Sequence, residues 1–288
     1  MNPLVSVVIP TKNRPELLKR ALTSVVAQTY KDFEAIVVDD GDGSAAAMVA
    51  SFGDSRIRSI KNNGVHGGGA ARNLGIREAK GEFVAFLDDD DAWVPEKLAV
   101  EVWFLNDASA KTAFVFSAVT NVRESGEETS NVPEGKANYL ERALTRFSGF
   151  LTSTLLLRRE ALLAVGGFDE SLPSHQEPDL IIRLSEKYDG ISVDKPLTRM
   201  SMEESHEHIG SDLRRRVAGR KAILLKHAAL FQARPRILAK HYFRIGLWSR
   251  DIGEKVEAKK YFRLAAGISF SLRYTAHYLL ALMTAGNQ

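Results

Sequence analysis

The sequence predicts an α/β protein in which a mostly parallel sheet is flanked by helices, with a helical extension at the C-terminal end. Three observations predict it. Short apolar runs alternate with segments of helical spacing through the first ninety or so residues, and the strongest of those runs end in aspartates. From about residue 213 the composition then shifts to Ala, Leu, Arg and Lys with few turn signals beyond Pro235, Gly246 and Gly253. A chain of 288 residues accommodates one large α/β domain plus an appendage, and the expected boundaries are 1–213 and 214–288.

Residues 4–9 are a β-branched run closed by Pro10. Leu17, Leu18, Ala21, Leu22, Val25 and Val26 then mark one helix face. A second buried strand over 33–38 ends in Asp39-Asp40-Gly41, a helix is expected over 45–51 and a short strand over 57–60. Gly67-Gly68-Gly69 reads as a loop before a helix through 76–80, a sequence that suits close backbone approach to a phosphate and equally suits an ordinary turn. The next strand, Phe83-Val84-Ala85-Phe86-Leu87, delivers Asp88-Asp89-Asp90-Asp91. Beyond it the reading is a helix over 95–106, a strand over 113–122, a polar loop over 123–135, a strand over 152–157, and helices over 159–165 and 176–187. In a parallel sheet the aspartates at the strand ends share one edge, where ligands of such sheets bind. Capping explains Asp39, Asp42 and Asp91 adequately. It explains Asp88 with Asp90 poorly, because adjacent carboxylates repel and hard divalent cations prefer oxygen ligands.

Composition narrows the classes. With 44% hydrophobic and 26% charged residues, no run of eighteen apolar residues, and an N-terminus lacking a basic leader and a cleavage site, the expectation is a cytoplasmic globular protein. The absence of cysteine removes disulfides, thiolate metal sites and a thiol nucleophile. The net charge of +3 conceals a basic segment, 212–244, with ten Lys or Arg against the single acid Asp212. It reads either as a solvated helix face or as a peripheral contact with the inner face of a membrane; nucleic acid is not an expected partner. The terminal stretch 268–283 suits a packed or interfacial helix, and a homodimer contact there is open.

VSVVIPTKNR, VVDDGDGS, GGGAARNLGI, GEFVAFLDDDDAWVPEKL and GGFDESLPSHQEPDLIIRL, in this order, resemble the inverting family-two glycosyltransferases of the GT-A fold over roughly residues 4–205. The resemblance implies a sugar transferred from a nucleotide diphosphate, UDP-linked, to a hydroxyl of a glycan or lipid-linked acceptor in cell-envelope or extracellular polysaccharide synthesis. It places Pro10, Thr11, Asn13, Arg14 and Asp40 at the nucleoside, and Gly69, Arg72, Asp88 and Asp89 at the nucleotide-sugar, with Asn73 holding the loop. Asp88 and Asp90 match the outer positions of the D-x-D motif that holds Mn²⁺ or Mg²⁺, Asp90 being the direct ligand expected. His206 and His208 lie where related enzymes place a histidine near the metal, and an exposed histidine is the structural alternative.

Single displacement with inversion needs a base on the face opposite the leaving group. Glu177, in QEPDL, stands where the family usually carries an Asp. Asp179 is the second candidate, with capping of a helix beginning near Leu180 as its structural alternative. Trp93 is expected either in the core or stacked near the sugar. A phospho-accepting receiver fits the sequence badly, because the acidic strand ends continue far past such a domain. A binding protein that kept the fold and lost catalysis remains the alternative, favoured only by Glu177 replacing Asp.

Overall fold

The computed structural model describes residues 4–202, 212–269 and 271–283. These form two compact units, one of residues 4–170 and 177–202, the other of residues 171–176 and the helices from 212 onward.

The first unit is built on one sheet of β1 (Val5–Thr11), β2 (Phe33–Asp39), β3 (Ile57–Lys61), β4 (Phe83–Phe86), β5 (Asp91–Trp93), β6 (Thr112–Arg123), β7 (Gly126–Ser130), β8 (Gly135–Ala137), β9 (Leu155–Arg158) and β10 (Asp189–Ser201). The strand order is β3-β2-β1-β4-β9-β6-β10-β5, with β7 on β6 and β8 on β10. β1, β2, β3 and β4 run parallel, as do β6 and β10, whereas β9 is antiparallel to both its neighbours. Helices α1 (Pro15–Val26), α2 (Ala45–Ser51), α3 (Gly68–Glu78), α4 (Lys97–Asp107), α5 (Leu140–Thr145), α6 (Arg159–Ala164) and α7 (Gln176–Ser185) complete the unit.

Covering both faces of the parallel strands explains their near-continuous apolar runs. Val5, Val7, Val8 and Ile9 of β1, Phe83 to Phe86 of β4 and Leu87 just after it are all fully buried. The helix α3 approaches β1 so closely that a Cβ on Gly75 would lie 2.3 Å from Val8 Cγ1.

Three expectations are corrected. The glycine loop is itself helical, because α3 starts at Gly68 and only Gly67, at φ +125°, lies outside it. Residues 123–135 are not loop throughout: residues 126–130 form β7, which returns along β6 after a tight turn, with Arg123 opposite Gly126. Every residue of β7 is exposed, so it carries no apolar alternation by which a strand could be read. The expected strand over 152–157 begins instead as a 3₁₀ turn, Thr152–Thr154, closed by Thr154 Oγ1 donating to the Leu151 carbonyl.

The second unit contains α8 (Leu213–Lys226), α9 (Ala228–Gln232), α10 (Pro235–Asp251), α11 (Lys255–Ile268) and α12 (Leu272–Met283). Asp212 caps α8, accepting from the backbone N–H of Arg214 and Arg215 at 2.8 and 3.2 Å. Phe243, Ala258, Phe262 and Ala265 form the core between α10 and α11, with Tyr274 and Tyr278 of α12 against it. His175 belongs to this unit and faces Trp248 with ring centroids 6.4 Å apart. Among the described residues no helix is long and apolar enough to cross a membrane.

Two outcomes follow. Gly75→Ala should lower stability by ~1–3 kcal/mol in urea unfolding, because overpacking displaces Val8 or the helix. Burial, then Arg220, Arg216 and His241, hold the His175 imidazole down from 6.5 to about 3. The unfolded chain takes up that proton near 6.5 while the folded chain refuses it until about 3, so stability falls as pH drops through this window. His175 sits at φ +62°, which Asn tolerates, so His175→Asn should lose ~1.5 kcal/mol less than the parent between about pH 6.5 and 5. Equal slopes in the two proteins would exclude His175 as the titrating group.

Candidate active site

The carboxyl ends of β1, β2 and β4 meet at one edge, and the aspartates delivered there have different partners. Asp88 forms an ion pair with Arg72 of α3, Nη2 to Oδ1 2.5 Å. Asp89 is buried, accepting from Thr11 Oγ1 at 2.7 Å and facing Arg14 at 3.4 Å. Asp90 also faces Arg14 at 3.4 Å, and Arg20 donates to its backbone carbonyl. Asp91 turns inward, where Ser153 Oγ donates to it at 2.6 Å while accepting from the Asp88 backbone N–H at 3.1 Å. Burial raises the Asp89 carboxyl to about 6 against the pull of Thr11 and Arg14, and burial with Asp88 and Asp90 raises Asp91 well above the usual carboxylate range.

Glu177 opens α7, and Thr152 Oγ1 donates to its Oε1 at 2.8 Å. Burial works against the charge on Arg72, yet Asp88, Glu177 and Asp90 together hold its guanidinium above the ordinary value. Arg72 thus pairs directly with Asp88, and Glu177 and Asp90 add to the negative field around it. Asp179 is different: it is fully buried and bound by Arg183 at 2.7 Å, one turn on. Because α7 begins at Gln176, Asp179 is not its cap, and its burial removes it from the reach of an acceptor.

Asp40 lies at the end of β2 with its carboxylate between Asn62 Nδ2 at 2.6 Å, His66 Nδ1 at 3.0 Å and the Gly67 N–H at 2.9 Å. Asn13, at φ +56°, accepts from the Asp42 N–H at 2.8 Å, so the turns after β1 and β2 are tied together beside Pro10. Asp39 accepts from the N–H groups of Gly41 and Ala45, the capping geometry expected of it. Gly69 is buried in the first turn of α3. Asn73 holds a distant loop: its Nδ2 donates to the Phe168 carbonyl and Glu170 Oε1, and its Oδ1 accepts from the Phe168 N–H, each at 2.8 Å. Trp93 is in the core, its Nε1 donating to the Ser153 carbonyl at 2.8 Å. His206 and His208 lie outside the described residues.

Sequence reading missed Asn62, His66, Thr152 and Ser153. Asn62 follows β3, so the strand-end rule could have found it. The hydroxyls of Thr152 and Ser153 carry no sequence signal, because neutral side chains after an apolar run read as part of a strand.

Among the described residues no group of three or more His, Asp or Glu is arranged to enclose a metal ion. Mg²⁺ and Mn²⁺ do not require one, since they are held by one or two carboxylates together with substrate phosphates. Asp88 and Asp90, both half-buried hard oxygen donors at one sheet edge, fit such a cation.

The architecture is that of the GT-A fold, and the comparisons specify the family. The glycosyl transferase family 2 profile matches residues 6–163, more than half of the chain, and the protein belongs to that family. An uncharacterized glycosyltransferase of Rickettsia conorii is 34% identical over 191 residues, 63% of this chain and 31% of that protein. The amylovoran biosynthesis glycosyltransferase AmsB of Erwinia amylovora is 32% identical over 189 residues, 62% of either chain. The UDP-Glc:α-D-GlcNAc-diphosphoundecaprenol β-1,3-glucosyltransferase WfgD of Escherichia coli is 37% identical over 100 residues, 34% of this chain and 40% of that one. The chain therefore spans less than two thirds of the length of these relatives. Among solved structures, S. aureus TarS with UDP-GlcNAc aligns at a TM-score of 0.68 and 21% identity, covering 98% of this chain and 80% of that one. The Pyrobaculum calidifontis mannosyltransferase PcManGT with GDP-Man and Mn²⁺ aligns at 0.64 and 19%, covering 99% and 80%.

Asn73→Ala should destabilise the protein by ~2–4 kcal/mol in chemical denaturation, because it strands the buried Phe168 peptide groups as well as losing the bonds. A change below ~1 kcal/mol would show that the loop does not depend on it.

Proposed function

We propose that the protein is a metal-dependent inverting glycosyltransferase taking a UDP-linked sugar to a hydroxyl of a glycan or lipid-linked acceptor, in cell-envelope or extracellular polysaccharide synthesis. The observation that carries this reading is the Arg72–Asp88 ion pair at the end of β4, with Asp90 beside it at the same sheet edge. A sugar diphosphate placed at this edge meets a cation-binding pair and a guanidinium on its phosphate side and a carboxylate beyond. The names of AmsB and WfgD support the polysaccharide setting and the UDP donor, and the ligands of TarS and PcManGT support a nucleotide-sugar site with Mn²⁺.

In this reading Asp90 and Asp88 hold the cation, which when bound neutralises charge developing on the departing nucleoside diphosphate. Arg72 donates to the diphosphate oxygens, exchanging part of its ion pair with Asp88 for them. Thr11 and Arg14 fix Asp89 beside the donor's hydroxyls, and Asp40, with Asn62 and His66, borders the base. Glu177, oriented by Thr152, takes the proton of the acceptor hydroxyl as that oxygen attacks the anomeric carbon in line with the leaving phosphate. The basic segment 212–244 is assigned to the anionic membrane surface that would carry a lipid-linked acceptor.

The test is a donor screen by calorimetry and turnover with and without Mn²⁺. UDP-sugar binding should depend on the metal. Glu177→Gln should retain that binding and lose turnover by about 10²-fold or more. Binding indifferent to Mn²⁺ would remove the metal, and unchanged turnover would remove Glu177 from the mechanism.

A further inference from the structure

The 3₁₀ turn Thr152–Thr154 touches both sides of the candidate site. It lies just before β9, and all three of its residues are buried. Thr152 Oγ1 donates to Glu177 Oε1 at 2.8 Å, and Thr154 Oγ1 closes the turn on the Leu151 carbonyl at 2.7 Å. Between them Ser153 engages both its hydroxyl and its carbonyl. Its Oγ donates to Asp91 Oδ2 at 2.6 Å and accepts from the Asp88 backbone N–H at 3.1 Å. Its carbonyl accepts from Trp93 Nε1 at 2.8 Å and from Thr198 Oγ1 at 3.0 Å.

These partners lie at the end of β4, in β5 and in β10, so the turn cannot shift without breaking bonds to the sheet. Trp93 is itself fixed. Its backbone N–H donates to Ser24 Oγ at 3.1 Å, and the buried Lys97 ammonium stands 4.6 Å from its ring centroid. At position 153 a hydroxyl is needed, because one atom must donate to a carboxylate and accept from a peptide N–H at once. Thr152 and Ser153 are joined by one trans peptide, which sets their Cα atoms ~3.8 Å apart. Glu177 and Asp88, distant in the chain, are thereby held from adjacent residues.

Given the roles of Glu177 and of Asp88 with Asp90 in the function proposed above, we propose that Thr152 and Ser153 are positioning residues for the transfer. They hold the base and the Asp88 end of the cation-binding pair at a fixed spacing through one peptide bond. In-line displacement depends on that spacing, since a misplacement of about 1 Å can cost about 10²-fold in rate. The labour is divided: Ser153 acts on the cation side and Thr152 on the base.

The test compares the full chain with Ser153→Ala, Thr152→Val and Thr152→Ser. Mn²⁺ binding in the presence of UDP is followed by electron paramagnetic resonance, UDP binding without metal by calorimetry, and turnover with the donor found in the screen above. Ser153→Ala should weaken Mn²⁺ binding about tenfold or more and leave metal-free UDP binding unchanged. Thr152→Val keeps the shape and loses the hydroxyl, so it should bind Mn²⁺ as the parent does. Its kcat should fall about tenfold or more with the donor KM unchanged, and Thr152→Ser should restore kcat. Urea unfolding checks each fold, and the two Thr152 variants decide the outcome should Ser153→Ala not fold. Undiminished Mn²⁺ binding in Ser153→Ala, equal losses with and without metal, or parental kcat in Thr152→Val would overturn the positioning roles and leave the transferase reading standing. A parent that binds no Mn²⁺ with UDP, or that turns over no donor, overturns that reading and the positioning roles with it.

Discussion

Four adjacent carboxylates at the end of one buried strand repel one another, and the organisation of the sheet edge follows from how that repulsion is managed. Each aspartate is drawn in a different direction. Arg72 takes Asp88, Thr11 and Arg14 take Asp89, Arg14 also reaches Asp90, and Ser153 takes Asp91. The partners come from four separate places in the chain, so the Asp run links β1, α1's preceding turn, α3 and the 3₁₀ turn before β9. Ser153 is central to this, since one hydroxyl receives the Asp88 N–H and donates to Asp91, and its carbonyl receives Trp93 Nε1 and Thr198 Oγ1.

The same separation creates unequal chemistry from identical side chains. Asp89 and Asp91, buried, hold their protons more firmly than ordinary carboxyls, while Asp88 and Asp90 stay half-buried at the edge where a cation and a diphosphate would meet them. The negative charge of Glu177, about a hundred residues later in the chain, also acts on Arg72. A guanidinium already paired with a carboxylate suits phosphate oxygens, because its donors are held in place and its present partner, Asp88, is also an oxyanion.

The helical unit uses the opposite arrangement. Where the sheet edge sets acids against Arg14 and Arg72, α8 and α10 gather cations around one indole, and His175 is kept neutral beside them by burial and by their field. Asp212 closes the start of α8, and Arg214 and Lys221 of the same helix pair with Glu254 and Glu257.

Much of the fold could be read directly. Buried parallel strands announce themselves as apolar β-branched runs, and helices by their spacing, because burial on a face imposes a period on the sequence. The acidic strand ends were legible too, since charged groups at the end of an apolar run have few structural uses, whereas Arg72 and Glu177 were singled out by the family resemblance of their motifs. What the sequence could not determine is where a polar group's partner lies. The strand β7 is wholly exposed and so imposes no period, Thr152 and Ser153 are neutral, and Asp179, unlike Glu177, is fully buried and paired with Arg183. Hydrogen bonds between residues far apart in the chain leave no local pattern, so the partner that each aspartate takes was decided by tertiary structure alone.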